Sequence, residues 1–438
     1  MTASRLLSAR WIVPVEPPGV TLEHHSLLVE NGMIAALLPS AEARRLYPDV
    51  AETRLDSHVL IPGLINLHTH AAMSLMRGLA DDLPLMTWLK EHIWPAEQRH
   101  VSADFVRDGS LLACAEMLRA GITCFNDMYF FPEATAEAVL ASGLRAALGI
   151  IALEFPSPYA GDAEDYLRKG LAARDAFKGE SRLTFTMAPH APYTVSDRSL
   201  AKILTLADQL ELPIHMHLHE TADEIVGSLA EHKLRPLARL QALGLLGPGL
   251  IAVHMVHLNE SEIELIARTG VHVAHCPSSN LKLASGIAPV AALLARGVNV
   301  ALGTDGAASN NRLDLLNEAR TAALLAKGST GDPTAVDAHQ ALAMATLHGA
   351  RALGLDGRIG SLVPGKAADI VAVDLSGLET LPCYDVVSHL VYAAGREQVS
   401  HVWVDGELLL DARALTKLDE RELMAKASHW QRILGAKT

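Results

Sequence analysis

The sequence predicts an α/β protein: a (β/α)8 TIM-type barrel with a small β-sandwich domain formed by both termini. Three observations lead to this fold. After residue 60, short apolar runs alternate with longer amphipathic stretches, and eight such runs can be counted. The two flanks instead contain alternating, strand-like segments. Eight parallel strands with helices between them close into a barrel, whose active site lies at the C-terminal strand ends.

The eight apolar runs supply the predicted barrel strands. They are rich in β-branched residues, as expected of parallel strands that are covered on both faces. Amphipathic patterns such as residues 199–209 and 289–296 predict helices between them. The runs span residues 60–67, 123–128, 145–152, 183–189, 213–218, 250–256, 271–276 and 299–303.

The flanks predict one composite β-domain. Strand-like pieces occur at both ends of the chain, but neither end alone is long enough for a stable sheet. We therefore expect a β-sandwich that pairs residues 1–59 with residues 363–413, beside a catalytic barrel of residues 60–362. Residues 414–438 complete the chain, with a C-terminal helix expected from about residue 419 to residue 434.

Composition and charge exclude several classes of partner. The 438 residues are 50% hydrophobic, which is enough for a large core, and the formal net charge of −13 repels phosphate backbones. We therefore expect a small-molecule substrate and no nucleic acid. The four cysteines lie far apart, as is typical of reduced thiols. The sequence shows neither a signal-peptide pattern nor an apolar run of roughly 20 residues, so we expect a cytoplasmic protein without membrane contact.

His68 and His70 are the first candidate metal ligands. They stand two residues apart in Asn-Leu-His-Thr-His, at the end of the first predicted strand, so both imidazoles point to the same face. This geometry suits one metal ion. A chance pair is the alternative in a chain with 21 histidines, but the position directly after a strand that begins Ile-Pro-Gly favours a site.

The fifth apolar run offers a third imidazole and a carboxylate. It reads Pro-Ile-His-Met-His-Leu-His-Glu and contains His217, with Glu220 three residues later. His215 and His219 are rivals, because strand alternation puts them on the same face as His217. We prefer His217 because it lies closest to the strand end, and we assign His215 and His219 to supporting or packing roles.

Asp305 and His254 complete the predicted centre. Asp305 ends the eighth run and could be a helix N-cap, but an aspartate at a barrel strand end can also ligate a metal and accept a proton from its water. His254 closes the run Ile-Ala-Val-His at the same opening, where it can steady a hydroxide. The fourth run lacks a lysine that could bridge a second metal. The pattern therefore predicts one catalytic metal with an open position.

The chain resembles the amidohydrolase superfamily, in the subgroup of 5′-methylthioadenosine/S-adenosylhomocysteine (adenosine-type) deaminases and their chlorohydrolase-like relatives. The resemblance covers essentially the whole length and is carried by seven segments in order. These are Pro-Gly-Leu-Ile-Asn-Leu-His-Thr-His (62–70), Trp-Pro-Ala-Glu (94–97), Ala-Pro-His-Ala-Pro-Tyr (188–193), His-Met-His-Leu-His-Glu (215–220), Ser-Ser-Asn-Leu-Lys-Leu (278–283), Gly-Thr-Asp-Gly (303–306) and Pro-Gly-Lys-Ala-Ala-Asp (364–369).

The resemblance implies hydrolytic deamination of a 6-aminopurine nucleoside to an inosine-type product and ammonia, by water that one divalent metal activates. Zinc is the expected metal, with iron(II) as the alternative, because imidazole and carboxylate suit both. Family members are commonly dimers or tetramers, so a homo-oligomer is expected. The implied residues are His68, His70, His217 and Asp305 as metal ligands, Glu220 as proton shuttle with His254 and Asp305 as catalytic partners, and Glu97 and His190, with Glu220 and Asp305, as substrate contacts.

Several alternatives share this metal site. Relatives that act on guanine, cytosine or s-triazine rings carry the same ligands, so the ligands indicate the chemistry but not the ring. The stretch after Arg145 lacks a second arginine that some nucleoside-processing relatives carry, which favours 5′-methylthioadenosine or adenosine over S-adenosylhomocysteine. A catalytically silent barrel scaffold is the non-enzyme alternative, and it is disfavoured because no ligand is missing.

Overall fold

The computed structural model describes residues 4–435, and within them the chain forms two eight-stranded sheets. The strands are β1 Arg5–Ile12, β2 Leu22–Glu30, β3 Met33–Pro39, β4 Ala51–Pro62, β5 Leu64–Thr69, β6 Ile122–Asp127, β7 Arg145–Ala152, β8 Leu183–Pro189, β9 Ile214–Leu218, β10 Leu250–His254, β11 His272–His275, β12 Val300–Leu302, β13 Ile370–Asp374, β14 Val399–Val404, β15 Glu407–Asp411 and β16 Ala414–Leu415.

The second sheet confirms the predicted TIM-type barrel. Strands β5 to β12 neighbour one another in chain order, and helices separate them in sequence. Every residue of β5, β7 and β10 is buried, which explains why these runs are continuously apolar rather than alternating. Beyond the last strand, the backbone N–H of Asp305 donates to the carbonyl oxygen of His68 at 3.0 Å, which ties the end of the barrel to its beginning.

The first predicted strand, residues 60–67, is divided between the two sheets. Residues 60–62 end β4, whereas β5 begins at Leu64. Gly63 lies at the break, where a Cβ atom would come within 2.0 Å of the Thr123 side-chain oxygen, so only glycine fits. Its N–H donates to the carbonyl oxygen of Asp369 at 2.9 Å instead of continuing the strand. Because both segments are apolar, the sequence pattern does not distinguish them and predicts a single strand.

The first sheet confirms the predicted β-domain shared by both ends of the chain. Its strand order is β16-β15-β14-β13-β4-β1-β2-β3, so N-terminal and C-terminal strands meet where β13 pairs antiparallel with β4. Strands β1 and β4 are parallel. One face of the sheet buries an apolar cluster that includes Ile12, Leu60, Ile370 and Trp403. Burial of these large side chains supplies the free energy that holds the two distant segments together.

The described residues form two compact units. One comprises the chain up to Asn66 with Ala115–Cys124 and Asp314–Leu418, and the other comprises Leu67–Cys114, Phe125–Leu313 and the residues from Asp419. The domain bounds expected from the sequence stay a prediction.

The expected C-terminal helix runs over Glu420–Leu434 in the second unit. Asp419 caps its first turn by accepting from the N–H groups of Arg421 and Glu422. Trp430, near the C-terminal end of this helix, packs against the rest of the unit. Its indole N–H donates to Asp108 at 3.0 Å, and its ring contacts Phe105 edge-on.

The remaining helices separate the strands. The helices expected at residues 199–209 and 289–296 are observed at Asp197–Leu210 and Val290–Ala295. No helix within residues 4–435 has both the length and the apolar character needed to cross a membrane. The others are Ser40–Leu46, Leu85–Thr87, Trp94–His100, Ala103–Arg119, Pro132–Ser142, Ala163–Ala176, Ala222–His232, Pro236–Ala242, Glu260–Thr269, Pro277–Lys282, Leu315–Thr330, Ala338–Met344, Leu347–Ala352 and Val386–Tyr392, with a π-helical turn at Trp88–Ile93 and 3₁₀ turns at Ala71–Met76, Leu378–Thr380 and Arg396–Gln398.

Candidate active site

Three barrel strands bring the four predicted metal ligands together. His68 lies in β5 and His70 follows its last residue, His217 lies in β9, and Asp305 comes three residues after β12. Because the C-terminal ends of barrel strands meet at one opening, these groups converge. One donor atom from each lies within 4.8 Å of all the others.

The spacing of the donor atoms fits one divalent metal ion. Asp305 Oδ1 lies 3.3 Å from His68 Nε2 and 3.2 Å from His70 Nε2, and His217 Nε2 lies 3.2 Å from His68 Nε2. A tetrahedral ion with bonds of about 2.0–2.1 Å holds its ligand atoms about 3.3–3.4 Å apart. Three imidazole nitrogens and one carboxylate oxygen are a donor set that suits zinc.

Each histidine ring is oriented by a hydrogen bond at its other nitrogen. Nδ1 of His70 donates to the carbonyl oxygen of Met128 at 2.5 Å, and Nδ1 of His217 donates to that of His190 at 2.8 Å. Nδ1 of His68 is hydrogen-bonded to Nε2 of His215 at 2.9 Å. All three Nε2 atoms are therefore directed at the centre, and His215 supports a ligand rather than acting as one.

Asp305 is held in an ionised and strained state. Its Oδ2 accepts hydrogen bonds from the hydroxyls of Ser279 at 2.6 Å and Ser309 at 2.9 Å. Burial alone would raise its pKa, but hydrogen bonds from His68 and His70 hold the pKa well below its usual range. Its φ of +60° is costly for a residue with a side chain, and such strain is typical of functional positions.

The protonation states of the imidazoles suit ligation. Burial lowers the pKa of His68 to about 4 and that of His217 well below its usual value, so both are neutral, as metal binding requires. Burial also disfavours a proton on His70, but the Asp305 carboxylate outweighs it and raises the pKa of His70 to about 9. A cation at this centre therefore competes with a proton for His70.

Two further predicted residues lie beside the centre. His254 ends β10, and its Nδ1 is hydrogen-bonded to Asn280 Oδ1 at 2.8 Å. Its Nε2 lies 3.8 Å from Glu220 Oε2. Burial raises the pKa of Glu220, while His254 opposes that shift. A carboxyl group whose pKa is raised holds its proton more readily than an exposed carboxyl group does, and a proton shuttle needs this property.

The loop that carries Glu220 leaves the strand earlier than alternation predicts. Strand β9 ends at Leu218, and His219 adopts a φ of +55°. The ring of His219 turns away from the opening and accepts from the N–H of Leu237 at 3.0 Å. Glu224 accepts from the N–H groups of His219 and Glu220 at 2.9 Å and 2.8 Å. The expectation that His219 shares the face of His217 is therefore wrong.

A cavity of about 390 Å³ opens onto the centre. Glu97 and His190 both line it, as do Glu220, His254 and Asp305. Glu97 accepts a hydrogen bond from the Tyr129 hydroxyl at 2.7 Å. Desolvation raises the pKa of Glu97 to about 7, although that hydrogen bond opposes the shift. The other walls are largely apolar and include Trp88, Leu89, Trp94, Leu153 and Phe155.

Sequence reasoning missed four side chains that organise the site: Tyr129, Ser279, Asn280 and Ser309. Two of them lie in Ser-Ser-Asn, part of a segment that carried the family resemblance without an assigned role. Tyr129 follows Asn-Asp-Met at the end of β6, and a polar run after a barrel strand is itself a signal of a functional position.

The barrel and its centre define a metal-dependent hydrolase, and the chain belongs to the amidohydrolase family, which is matched over residues 59–409. A relative from Teredinibacter turnerae, named 5-methylthioadenosine/S-adenosylhomocysteine deaminase, is 49% identical over 431 residues, which are 98% of each chain. A 5'-deoxyadenosine deaminase from Methanosarcina mazei is 43% identical and covers 97% of each chain. A solved structure of an adenosine deaminase from Xanthomonas campestris with bound zinc has a TM-score of 0.96 at 49% identity, over 99% of each chain. The family resemblance is confirmed.

Proposed function

We propose that this chain deaminates a 6-aminopurine nucleoside hydrolytically, with one bound zinc ion, to an inosine-type product and ammonia. The observation that carries the proposal is the position of the Glu220 and His254 pair, which lines the same cavity as Asp305 and Glu97. That cavity thus combines a metal centre, a proton-transfer group and a carboxylate that can accept from sugar hydroxyls. The names of the relatives from T. turnerae and M. mazei support the same reaction.

The protein side chains divide the proton transfers between them. Zinc held by His68, His70, His217 and Asp305 would supply Lewis acidity that makes the attacking water more acidic. Asp305 begins ionised and accepts a proton from the attacking water, while His254, held by Asn280, orients that water toward C6. Glu220 donates its proton to ring N1 and regains one from the hydroxyl formed at C6, while the proton that Asp305 took from water passes to the amino group, which leaves as ammonia.

Glu97 and His190 recognise the nucleoside. The Glu97 carboxylate can accept hydrogen bonds from both ribose hydroxyls, since two oxygens provide about four acceptor positions. His190 is fixed by a hydrogen bond between its Nδ1 and Thr194 Oγ1 at 3.0 Å, which leaves Nε2 for the sugar or the base. Together they favour a riboside over a free base.

The cavity wall favours an apolar 5′ substituent. Trp94 and Phe155 meet at a ring-centroid distance of 5.7 Å beside Leu153, a surface that suits a methylthio group. Among the lining residues of the described chain, Lys90 is the one lysine or arginine, and it is exposed. Arg145 is the first residue of β7, at the strand end opposite the active-site opening. We infer that 5′-methylthioadenosine or adenosine is preferred over S-adenosylhomocysteine.

A substrate screen tests the proposal. Zinc-loaded protein is assayed for ammonia release with 5′-methylthioadenosine, adenosine, S-adenosylhomocysteine, guanine, cytosine and a chlorotriazine. We expect turnover of the first two, weaker turnover of the third and none of the others. Metal-loaded protein that is inert toward every compound would support the silent-scaffold alternative, and turnover of guanine, cytosine or the triazine alone would support another ring.

Two further proposals concern the assembly of the protein and its location in the cell. We keep a homodimer or homotetramer and a cytoplasmic location as proposals that follow from family resemblance and composition. Light scattering of the purified protein tests the first, and fractionation of cells that express it tests the second.

A further inference from the structure

Two adjacent residues after β6 hold two different parts of the site. The carbonyl oxygen of Met128 accepts from Nδ1 of the metal-centre residue His70 at 2.5 Å. The hydroxyl of Tyr129 donates to Glu97 Oε1 at 2.7 Å. Backbone hydrogen bonding fixes this segment, because the N–H of Met128 donates to the carbonyl oxygen of Thr69 at 3.0 Å. One short segment, Met128 and Tyr129, therefore contacts both the metal centre and the carboxylate of Glu97.

Tyr129 is a rigid donor. Its side chain is 4% exposed and belongs to an apolar cluster that also contains Trp88, Ile93 and Phe105. Its ring lies against Phe130 at a centroid distance of 5.2 Å. Burial, together with the Glu97 charge, raises the pKa of Tyr129 well above its usual value, so the hydroxyl keeps its proton. Packing against this cluster and the hydrogen bond to Glu97 together hold the side chain in place.

Glu97 lies on a short helix that follows an irregular turn, so a side-chain contact adds to what fixes its carboxylate. It lies in the helix Trp94–His100, directly after the π-helical turn Trp88–Ile93. Among residues 4–435, Tyr129 is the side chain that hydrogen-bonds the Glu97 carboxylate. That bond engages Oε1, so acceptor positions on Oε2 and the remaining position on Oε1 are left for a ligand.

We propose that Tyr129 is the positioning residue that fixes the Glu97 carboxylate to accept from the ribose hydroxyls, and that it thereby sets the preference for ribosides over deoxyribosides. This inference rests on the proposed nucleoside deaminase function. Loss of the Tyr129 hydroxyl frees the carboxylate to rotate, so a substrate hydroxyl gains less from meeting it. The effect should fall on recognition of the sugar and not on the chemistry at C6.

The test compares adenosine with 3′-deoxyadenosine in Tyr129→Phe. The ratio of their kcat/KM values should fall by about fivefold to twentyfold relative to wild type, mainly through a higher KM for adenosine, as expected for a weakened hydrogen bond to a charged group. Tyr159→Phe is the matched control. Tyr159 is equally buried in the same cluster, but within the described residues its hydroxyl has no hydrogen-bond partner. Its ratio should equal that of wild type.

A double-mutant cycle isolates the pathway through Glu97. On a Glu97→Ala background, Tyr129→Phe should leave the ratio unchanged, because the carboxylate that it positions is gone. Should Tyr129→Phe not fold, Glu97→Gln provides the test: its amide oxygen can still accept from Tyr129, so its ratio should lie between those of wild type and Glu97→Ala.

The outcomes separate the two proposals. If wild type releases ammonia from no nucleoside, the proposed function and this inference both fail. If wild type is active but Tyr129→Phe keeps the wild-type ratio, lowers kcat equally for both substrates, or has the same effect without Glu97, the inference alone is overturned. A Glu97→Gln ratio equal to that of Glu97→Ala would overturn it as well.

Discussion

Glu220 and His254 face each other at the cavity, with Oε2 and Nε2 3.8 Å apart. This separation exceeds that of a hydrogen bond, so the two groups are close enough to share a proton only through an intervening water or substrate atom. Burial raises the pKa of Glu220 and His254 opposes that shift, so the two groups together govern how readily Glu220 gives up its proton.

Replacement of Glu220 tests its role in proton transfer. Glu220→Gln should retain the metal, because Glu220 is not among the four clustered ligands, yet lose about 100-fold or more in kcat. Metal content by elemental analysis and kcat by ammonia release measure both halves. Glu231→Gln, an exposed change on the following helix, is the control. A Glu220→Gln rate close to wild type would remove Glu220 from the mechanism.

Glu97 is expected to act on the sugar. Glu97→Ala should raise KM for adenosine and methylthioadenosine by about tenfold or more, since a hydrogen bond to a charged group is lost, and change kcat little. Steady-state kinetics with free adenine as the comparison supply the measurement. An equal loss for adenine would contradict a contact with ribose.

Sugar recognition should depend on pH near neutrality. Glu97 has a pKa raised to about 7, so it is ionised above that pH and protonated below it. Protonation removes part of its acceptor capacity, and the ratio of kcat/KM for adenosine to that for 3′-deoxyadenosine should therefore fall as the pH drops through about 7. Titrating groups that change kcat/KM equally for both substrates do not change this ratio. The ratio in Glu97→Gln, which does not ionise, should be flat, and a slope there would assign the titration to another group.

Tyr159 tests how much a buried hydroxyl without a hydrogen-bond partner costs in stability. Its hydroxyl is buried and, in the part of the chain that the structure describes, makes no hydrogen bond. Tyr159→Phe removes that cost and should stabilise the protein by about 1 kcal/mol, since an unsatisfied buried polar group costs about 1–3 kcal/mol. Thermal and denaturant unfolding measure the change. Destabilisation of similar size would mean that the hydroxyl has a partner, such as an ordered water.

The residues predicted from sequence are those whose position follows from strand periodicity. His68, His70 and His217 occupy the ends of apolar runs, and the geometry of a parallel barrel brings such ends together. The position of Asp305 follows from the same reasoning, because it comes directly after the last predicted barrel strand. Strand periodicity thus predicts which side chains lie at the active-site end of the barrel.

What escaped prediction depends on contacts or on single backbone angles. Tyr129 and Glu97 are 32 residues apart, and no local pattern links them. The direction of His219 depends on one positive φ, and the strand break at Gly63 depends on the closeness of Thr123. Such features arise from tertiary packing, which a periodicity of 2 or 3.6 does not encode.

The backbone hydrogen bond from Asp305 to His68 also bears on how the protein acquires its ion. These two residues come from opposite ends of the barrel sequence, so an incomplete chain that stops short of β12 has at most three of the four donors. The complete donor set therefore forms only when the last barrel strand has been added, and a metal bound by all four donors adds its binding free energy to the stability of the finished barrel.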